Sequence, residues 1–326
     1  MIVITGATGH IGNVLVRELL ARGEKVRAVV PDFEDDLPLQ GLNVEKYTAD
    51  LRQPESLIKA FDGAEVVYHL AGAISILPGK KKFLEEVNLR GTRNVIDACI
   101  KTGVKRLIYT SSIHAIREPP QGTVIDESCP FDPEKVVGDY AKSKARATLE
   151  VCKAVEKGLD AVIVCPTGVV GPYDFRHSEI GQMIIDFMQK RLKAYIDGAY
   201  DFVDVRDVAF GHILACEKGK SGEVYILSGE RITISQLLNM LEEITGVKAP
   251  RLKIPIWLAR FVALFTTLHY LRTGAKPRLT SYSIYTLQSN SFISSEKAKK
   301  ELGYSPRPLR QSIEDAVKWF MERKEI

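Results

Sequence analysis

The sequence predicts an α/β fold, a doubly wound parallel sheet with helices on both faces, followed by a smaller, mostly helical C-terminal region. Two observations predict it. Short β-branched runs alternate with helical patterns through the first half. Three glycines, Gly6, Gly9 and Gly12, fall where the first such run passes into the first helix. A chain of 326 residues, 45% apolar and 26% charged, has the material for a large core of this kind.

Taken in order, strands are expected at MIVIT (1–5), KVRAVV (25–30), NVEKYTA (43–49), EVVYHLA (65–71), KRLIYTSS (105–112) and DAVIVCP (160–166). Between the first two, HIGNVLVRELLARG carries Ile11, Leu15 and Leu19 on one stripe, the period of an amphipathic helix. FLEEVNLRGTRNVIDACIKTG (83–103) reads as another helix, ended by Gly103. The proline- and acid-rich stretch 117–137 is irregular, and a loop of that length in a compact domain is usually functional or mobile. Further helices are expected in 203–219, 233–246 and 312–324. Residues 1–165 are assigned to a nucleotide-binding domain to which 201–230 return, and 166–200 with 231–326 to a substrate-binding region.

A formal net charge of +4, with the basic residues scattered, leaves no nucleic-acid footprint. The five cysteines, at 99, 129, 152, 165 and 216, lack metal-site or dithiol spacing, which reads as reduced cytoplasmic thiols and no metal. The start shows no basic leader with an apolar block, so no export is expected. The longest apolar run, 254–271, contains Arg260 and His269 and falls short of the roughly 20 clean residues of a membrane span. It reads first as a buried core helix. With Trp257, Phe261, Leu264, Phe265 and Leu268 it is also suited to roof an apolar pocket or to rest on a membrane surface.

The glycine cluster points to chemistry. At a strand-to-helix junction a tight turn needs positive φ, and a side chain would block the approach of phosphates. The helix start then aims free amides and a positive dipole end at a pyrophosphate. A strand before, a helix after, and Asp32 about 20 residues beyond the last glycine make this a dinucleotide cradle of the Rossmann type.

The spacing GxxGxxG, with YTSS at 109–112 and Tyr140 and Lys144 in a YxxxK arrangement, resembles the short-chain dehydrogenases and reductases. Tyrosine is a poor base at neutral pH, because its ordinary pKa is near 10. A lysine four residues on shares its helix face and favours the phenolate. Tyr140 can then exchange a proton with a substrate oxygen while hydride passes to or from a nicotinamide. The resemblance implies that Ser112 holds that oxygen, with Ser111 beside the cofactor.

More of the chain resembles the extended branch of this superfamily. HLAGA (69–73), NLRGT (88–92), ADL (49–51), PTGVVGP (166–172) and ELGYSPRPL (301–309) match its segments in order, so the likeness covers nearly the whole length. The resemblance implies cofactor contacts from Gly6, Thr8, Gly9, His10, Ile11, Gly12, Asp32, Asp50, Leu51, Leu70, Ala71, Gly72, Asn88, Thr110, Ser111, Pro166, Gly168 and Val169, beside Tyr140 and Lys144. Four acids within residues 32–36 oppose a 2′-phosphate and favour NAD over NADP, although Val30 stands where NAD-using epimerases place their acid.

Extended members divide between nucleotide-sugar epimerases or dehydratases and enzymes of lipophilic alcohols and ketones, such as dihydroflavonol reductases and 3β-hydroxysteroid dehydrogenases. Gly168 stands where the sugar enzymes usually carry Asn, and Tyr200 where they carry the Arg that grips the diphosphate. Losing that charge-assisted contact argues for the lipophilic group. The epimerase reading remains the alternative, and a non-catalytic redox sensor a third. Tyr173 and Arg176 are the candidate substrate residues, and His177 is read as a surface histidine. The resemblance also implies a homodimer through the helices at 82–102 and 139–157.

Overall fold

The structure, a computed structural model, describes residues 1–75, 77, 79–273 and 280–325; the side chains of 267–269, 271 and 272 lie outside the described set. The strands are β1 (Ile2–Thr5), β2 (Val26–Val30), β3 (Glu45–Thr48), β4 (Val66–His69), β5 (Arg106–Thr110), β6 (Ala161–Pro166), β7 (Gly168–Val170), β8 (Ala194–Tyr195), β9 (Ala199–Asp204), β10 (Val224–Leu227), β11 (Glu230–Thr233) and β12 (Leu252–Lys253). The helices are α1 (His10–Ala21), α2 (Pro54–Ala60), α3 (Lys81–Leu84), α4 (Gly91–Thr102), α5 (Asp139–Glu156), α6 (Glu179–Met188), α7 (Val205–Lys218), α8 (Ile234–Thr245), α9 (Ile256–Thr273), α10 (Ser281–Gln288), α11 (Glu296–Leu302) and α12 (Leu309–Glu322). A π-helical turn, Glu85–Arg90, joins α3 to α4, so the single helix expected over 83–103 is a composite.

Seven strands form one parallel sheet in the order β10-β6-β5-β4-β1-β2-β3. The six expected strands all lie in it; β10, which the sequence analysis did not single out, completes its edge. Strand order reverses between β1 and β4, and ligands of open α/β sheets bind at the carboxyl ends beside that reversal. Of the expected stripe of α1, Leu15 and Leu19 are buried together with Val14, each stabilising the fold by roughly 1.5–3 kcal/mol, while Ile11 is partly buried. On that face α1, α7 and α11 share a core with β1 and β2; on the other, α2, α4 and α5 cover β4 and β5 through Leu57, Val95 and Val151.

The C-terminal region is mostly helical, as expected, with short strands beside the helices. It holds a three-stranded sheet, β11-β9-β7, and the β12-β8 pair, and a third core packs α6, α8 and α12 against the former. These strands are two to six residues long, too short for a legible alternation. Stretch 117–137 is held in place: Ile125 bridges Ile293, and the Glu127 carboxylate accepts from the Ile226 amide at 2.9 Å.

The core-helix reading of 254–271 is overturned. Among the described side chains of α9 only Ala259 and Ala263 are buried, against Ile284 of α10, while Trp257, Leu258, Phe261, Val262, Leu264 and Phe265 stand exposed. Two alanines allow close helix contact but cover little area, so the large side chains are left outside. Leu268, expected on the roofing face, falls outside the described side chains. Among the described residues no helix is long and apolar enough to cross a membrane.

An ionic cluster fastens the C-terminal signature to the sheet. Asp204, with its side chain fully buried, caps α7 and takes Arg206 at 2.7 Å, and Arg307 grips Asp207 at 2.8 Å. Burial pushes the Asp204 carboxyl up, but Arg206 and Arg307 outweigh it and hold the pKa below the ordinary value. Asp204→Ala removes a cap and leaves guanidinium groups uncompensated. It is expected to destabilise the protein by about 3 kcal/mol, checked by denaturant unfolding.

Candidate active site

The loop after β1 is shaped by two close approaches. Gly6 has φ +72°, and a Cβ there would lie 2.5 Å from the Ala71 amide nitrogen; a Cβ on Gly12 would lie 2.0 Å from the Gly6 carbonyl oxygen. These two glycines are needed for the protein to pack on itself. Gly9 differs, since a Cβ there would meet the Gly6 oxygen at 3.2 Å and otherwise open space. Its bareness leaves room for a ligand at the start of α1, where no side chain caps the helix and no acid sits in the first turn. The buried His10 Nδ1 has no partner, while its Nε2 is fixed on the Pro172 carbonyl oxygen at 2.9 Å. An uncapped helix start, a cleared surface and an orphaned ring nitrogen fit a pyrophosphate. Ile11 packs into the core behind the loop.

The turn after β4 runs alongside. Leu70 donates its amide to the Thr5 carbonyl oxygen, and Ala71 to the Thr5 hydroxyl. Asn88 is buried and clamps this turn: its Oδ1 accepts from the Ala73 amide at 2.7 Å, and its Nδ2 donates to the Ala73 carbonyl and to Ser143. It therefore acts by holding the turn that lines the channel. The space a Gly72 side chain would take points to Asn88 Oδ1 at 3.2 Å and Lys144 Nζ at 3.9 Å.

At the end of β5, Thr110 turns its hydroxyl to buried His212, 2.8 Å away, and offers its carbonyl oxygen to Lys144 Nζ at 2.6 Å. Ser111 pairs with Thr148 at 2.6 Å. The Ser112 hydroxyl accepts from the His114 amide at 3.2 Å and lies near enough to the Tyr140 phenol to lower its pKa. The structure thus brings Ser112, Tyr140 and Lys144 together at the carboxyl end of the sheet. Burial pushes the Tyr140 phenol up, opposed by the Ser112 hydroxyl, so the lowering expected from Lys144 is not present in the protein alone. Lys144 is itself buried, which lowers its ammonium to about 8.

The adenosine end departs from expectation. Asp32 is exposed beside Arg52, whereas Glu34 reaches the glycine loop, accepting from the Thr8 hydroxyl at 2.5 Å. Asp50 is chelated by Arg52 at 2.6 Å, which lowers its pKa, and the Leu51 carbonyl takes Asn94. Arg176 and Tyr173, expected at the substrate, lie on the glycine-loop side instead. Arg176 bonds Glu34 at 2.6 Å and Thr8 at 2.7 Å; Tyr173 takes φ +67°, stacks under Arg17 and offers its carbonyl to Asn13. A residue count along an irregular crossover could not have given that direction. His177 is half exposed and pairs with Glu325.

The wall facing Ser112 and Tyr140 is aromatic. His114 Nε2 meets the Tyr200 hydroxyl at 2.7 Å, and their rings stack at 5.9 Å. Burial lowers His114 to about 4, so it is neutral at physiological pH. Beyond Pro166, at the end of β6, the rings of Tyr200 and Phe202 fill the space over Gly168, where an added Cβ would lie 2.6 Å from the Tyr200 ring. Val169 pairs with Val203 just beyond. Tyr282 edges onto His114, and its buried hydroxyl has no partner. Next to them a cavity of about 250 Å³ is lined by His114, Glu118 and Tyr285. Of the wall's ring side chains only Tyr200 was named from the sequence; His114 lies two residues from Ser112, but nothing in its spacing marks it.

Lys144 yields a pH test. Its folded pKa lies near 8 and its ordinary value is 10.5, so the unfolded chain binds the extra proton between those limits and stability rises with pH across that window. Replacing it by uncharged Met removes this contribution. The stability of the wild type relative to Lys144→Met should climb by an amount on the order of 1–3 kcal/mol from pH 8 to 10.5, measured by denaturant unfolding.

Comparison with known proteins agrees with this geometry. The model of the NAD dependent epimerase/dehydratase family matches residues 2–228. "Sterol demethylase protein B" of Methylococcus capsulatus is 42% identical over 324 residues, covering 98% of both chains. "3beta-hydroxysteroid-dehydrogenase/decarboxylase isoform 1" of Arabidopsis thaliana is 32% identical over 357 residues, covering 99% of this chain and 80% of that one. Among solved structures, the crystal structure of gox2253 superposes with a TM-score of 0.88 at 37% identity, covering 100% of this chain and 99% of that one. With its glycine loop, its Ser-Tyr-Lys constellation and a match over two thirds of its length, the chain is an enzyme of the NAD dependent epimerase/dehydratase family.

Proposed function

We propose that this protein is an NAD-dependent oxidoreductase that exchanges hydride at an alcohol or ketone carbon of a lipophilic, polycyclic small molecule. The observation that carries the reading is the aromatic wall. Tyr200, its hydroxyl engaged by His114, stands where a sugar-nucleotide enzyme needs a guanidinium, and it closes over Gly168. A buried diphosphate without a charge-assisted donor is strongly disfavoured, whereas flat apolar rings stack well there. The relatives named for sterol chemistry point the same way.

The start of α1, Thr8 and the turn 70–72 would hold the dinucleotide, with Lys144 and Tyr140 at its nicotinamide end. Bound there, it supplies the two-electron hydride exchange and, when oxidised, a positive charge beside the phenol. Ser112 donates to the substrate oxygen and fixes it against Tyr140. In oxidation Tyr140 takes the hydroxyl proton; in reduction it returns one to the carbonyl oxygen. Lys144, anchored on Thr110, keeps its charge near Tyr140 below about pH 8.

The acids Asp32, Glu34, Asp35 and Asp36 after β2 support NAD over NADP, because only one of them, Glu34, is paired with a guanidinium of the glycine-loop side, Arg176, and the cluster as a whole opposes a 2′-phosphate. Five free cysteines support a reducing, cytoplasmic setting. A homodimer through the 81–102 stretch and α5 suits the exposed Phe83 and Ile100.

Tyr140→Phe should lower kcat by about 10³-fold with NAD affinity changed less than about threefold, measured with a hydrophobic ketone panel by nicotinamide absorbance and by calorimetry. Unchanged turnover would refute the mechanism, and micromolar binding of UDP or dTDP would favour a nucleotide-sugar substrate. Glu34→Gln should lower the ratio of NADP to NAD dissociation constants by about tenfold. A wild type that already prefers NADP would overturn the assignment.

A further inference from the structure

Among the described side chains of α9 the large apolar ones have no partner for most of their surface. Trp257 is 71% exposed, Phe261 58%, and Leu264 and Phe265 55% each, and Leu252 on the preceding strand is 65% exposed. Residues 257, 261, 264 and 265 share one helix face, opposite Ala259 and Ala263, which pack inward. A contiguous patch of this kind marks an interaction site.

Its surroundings select the partner. Between Glu243 and Glu296 the sequence has no acid, and among the described side chains there Lys248, Arg251, Lys253 and Arg260 are basic. The pairing of Leu252 with Ala194 sets Lys193 beside Arg251 at the foot of the helix. Arg251 is paired with Glu242 and Lys253 with Asp197, while Lys193 and Lys248 make no ion pair among the described residues. A second copy of the patch would bring like charges together, whereas a negatively charged lipid surface satisfies both the rings and the rim. Behind the helix, Arg260, Ile284 and Tyr285 line a cavity of about 460 Å³, and Tyr285 also lines the cavity at His114 and Glu118. The two cavities meet at one side chain.

We propose that α9 seats the protein on an anionic membrane surface, without spanning it, so that a lipid-borne substrate passes beneath the helix and past Tyr285 toward Tyr140. The proposal extends the lipophilic-substrate reading, but its test requires no knowledge of the substrate.

The full-length protein is floated with vesicles of phosphatidylcholine alone or mixed with phosphatidylglycerol. Binding to the mixed vesicles that weakens with salt is expected. Trp257→Glu with Phe261→Glu should weaken it by about tenfold or more, and Lys193→Glu with Lys248→Glu by about fivefold per lysine. All these positions are exposed, so the thermal midpoint and the turnover of a water-soluble ketone should stay at wild-type values. Wild-type protein that stays with the buffer, or an aromatic double variant that still floats like wild type, would overturn the proposal. So would light scattering in which Trp257→Glu with Phe261→Glu splits a dimer, because the face would then join two copies. Failure of the hydride-transfer reading would appear separately, as absent turnover in protein that binds vesicles normally.

Discussion

The ammonium of Lys144, donating to the Thr110 carbonyl oxygen across 2.6 Å, ties the end of β5 to helix α5. That bond brings together two segments distant in sequence, one carrying Ser112 and the other Tyr140. Desolvating a lysine is costly, and its lowered pKa is the measure of that cost. A strand terminus supplies a compensating acceptor, since the carbonyl at the end of a parallel strand is free of the ladder. The active site is therefore built on rigid elements, as chemistry that depends on sub-ångström placement requires.

Around that bond the polar groups act mostly on one another. Asn88 holds the turn 71–73, His69 joins Thr5 to Thr92, and His212 holds Thr110, each buried and hydrogen-bonded. Burial keeps His69 and His212 neutral, at about 3 and about 4. Neutral and fully hydrogen-bonded, they fix backbone at strand ends. Of the five buried side-chain polar atoms without a partner among the described residues, two, His10 Nδ1 beside the glycine loop and the Tyr282 hydroxyl beside His114, stand where a cofactor and a substrate would be received.

The strands of the main sheet were legible because parallel strands buried on both faces are continuous apolar runs, and the loop because few residue types permit the approach of Gly6 to Ala71. What was not legible had weak local signals. Strand β10 is four residues long and follows α7, a helix that packs on the face of the same sheet. Helix α9 is apolar on all sides, a pattern that describes a core helix and a lipid-facing one equally well.

The sequence by itself determined six of the seven strands of the main sheet, the glycine cradle and the placement of Tyr140 and Lys144 one turn apart on one helix, since these follow from periodicity and from spacing within one element. Tertiary structure alone decided that Glu34 rather than Asp32 meets the glycine loop, that Arg176 and Tyr173 turn toward that loop, and that Tyr200 and His114 form one wall. Those contacts join segments 26 to 168 residues apart through irregular crossovers. Side-chain direction there is set by packing against distant elements, and neighbouring residues carry no record of it.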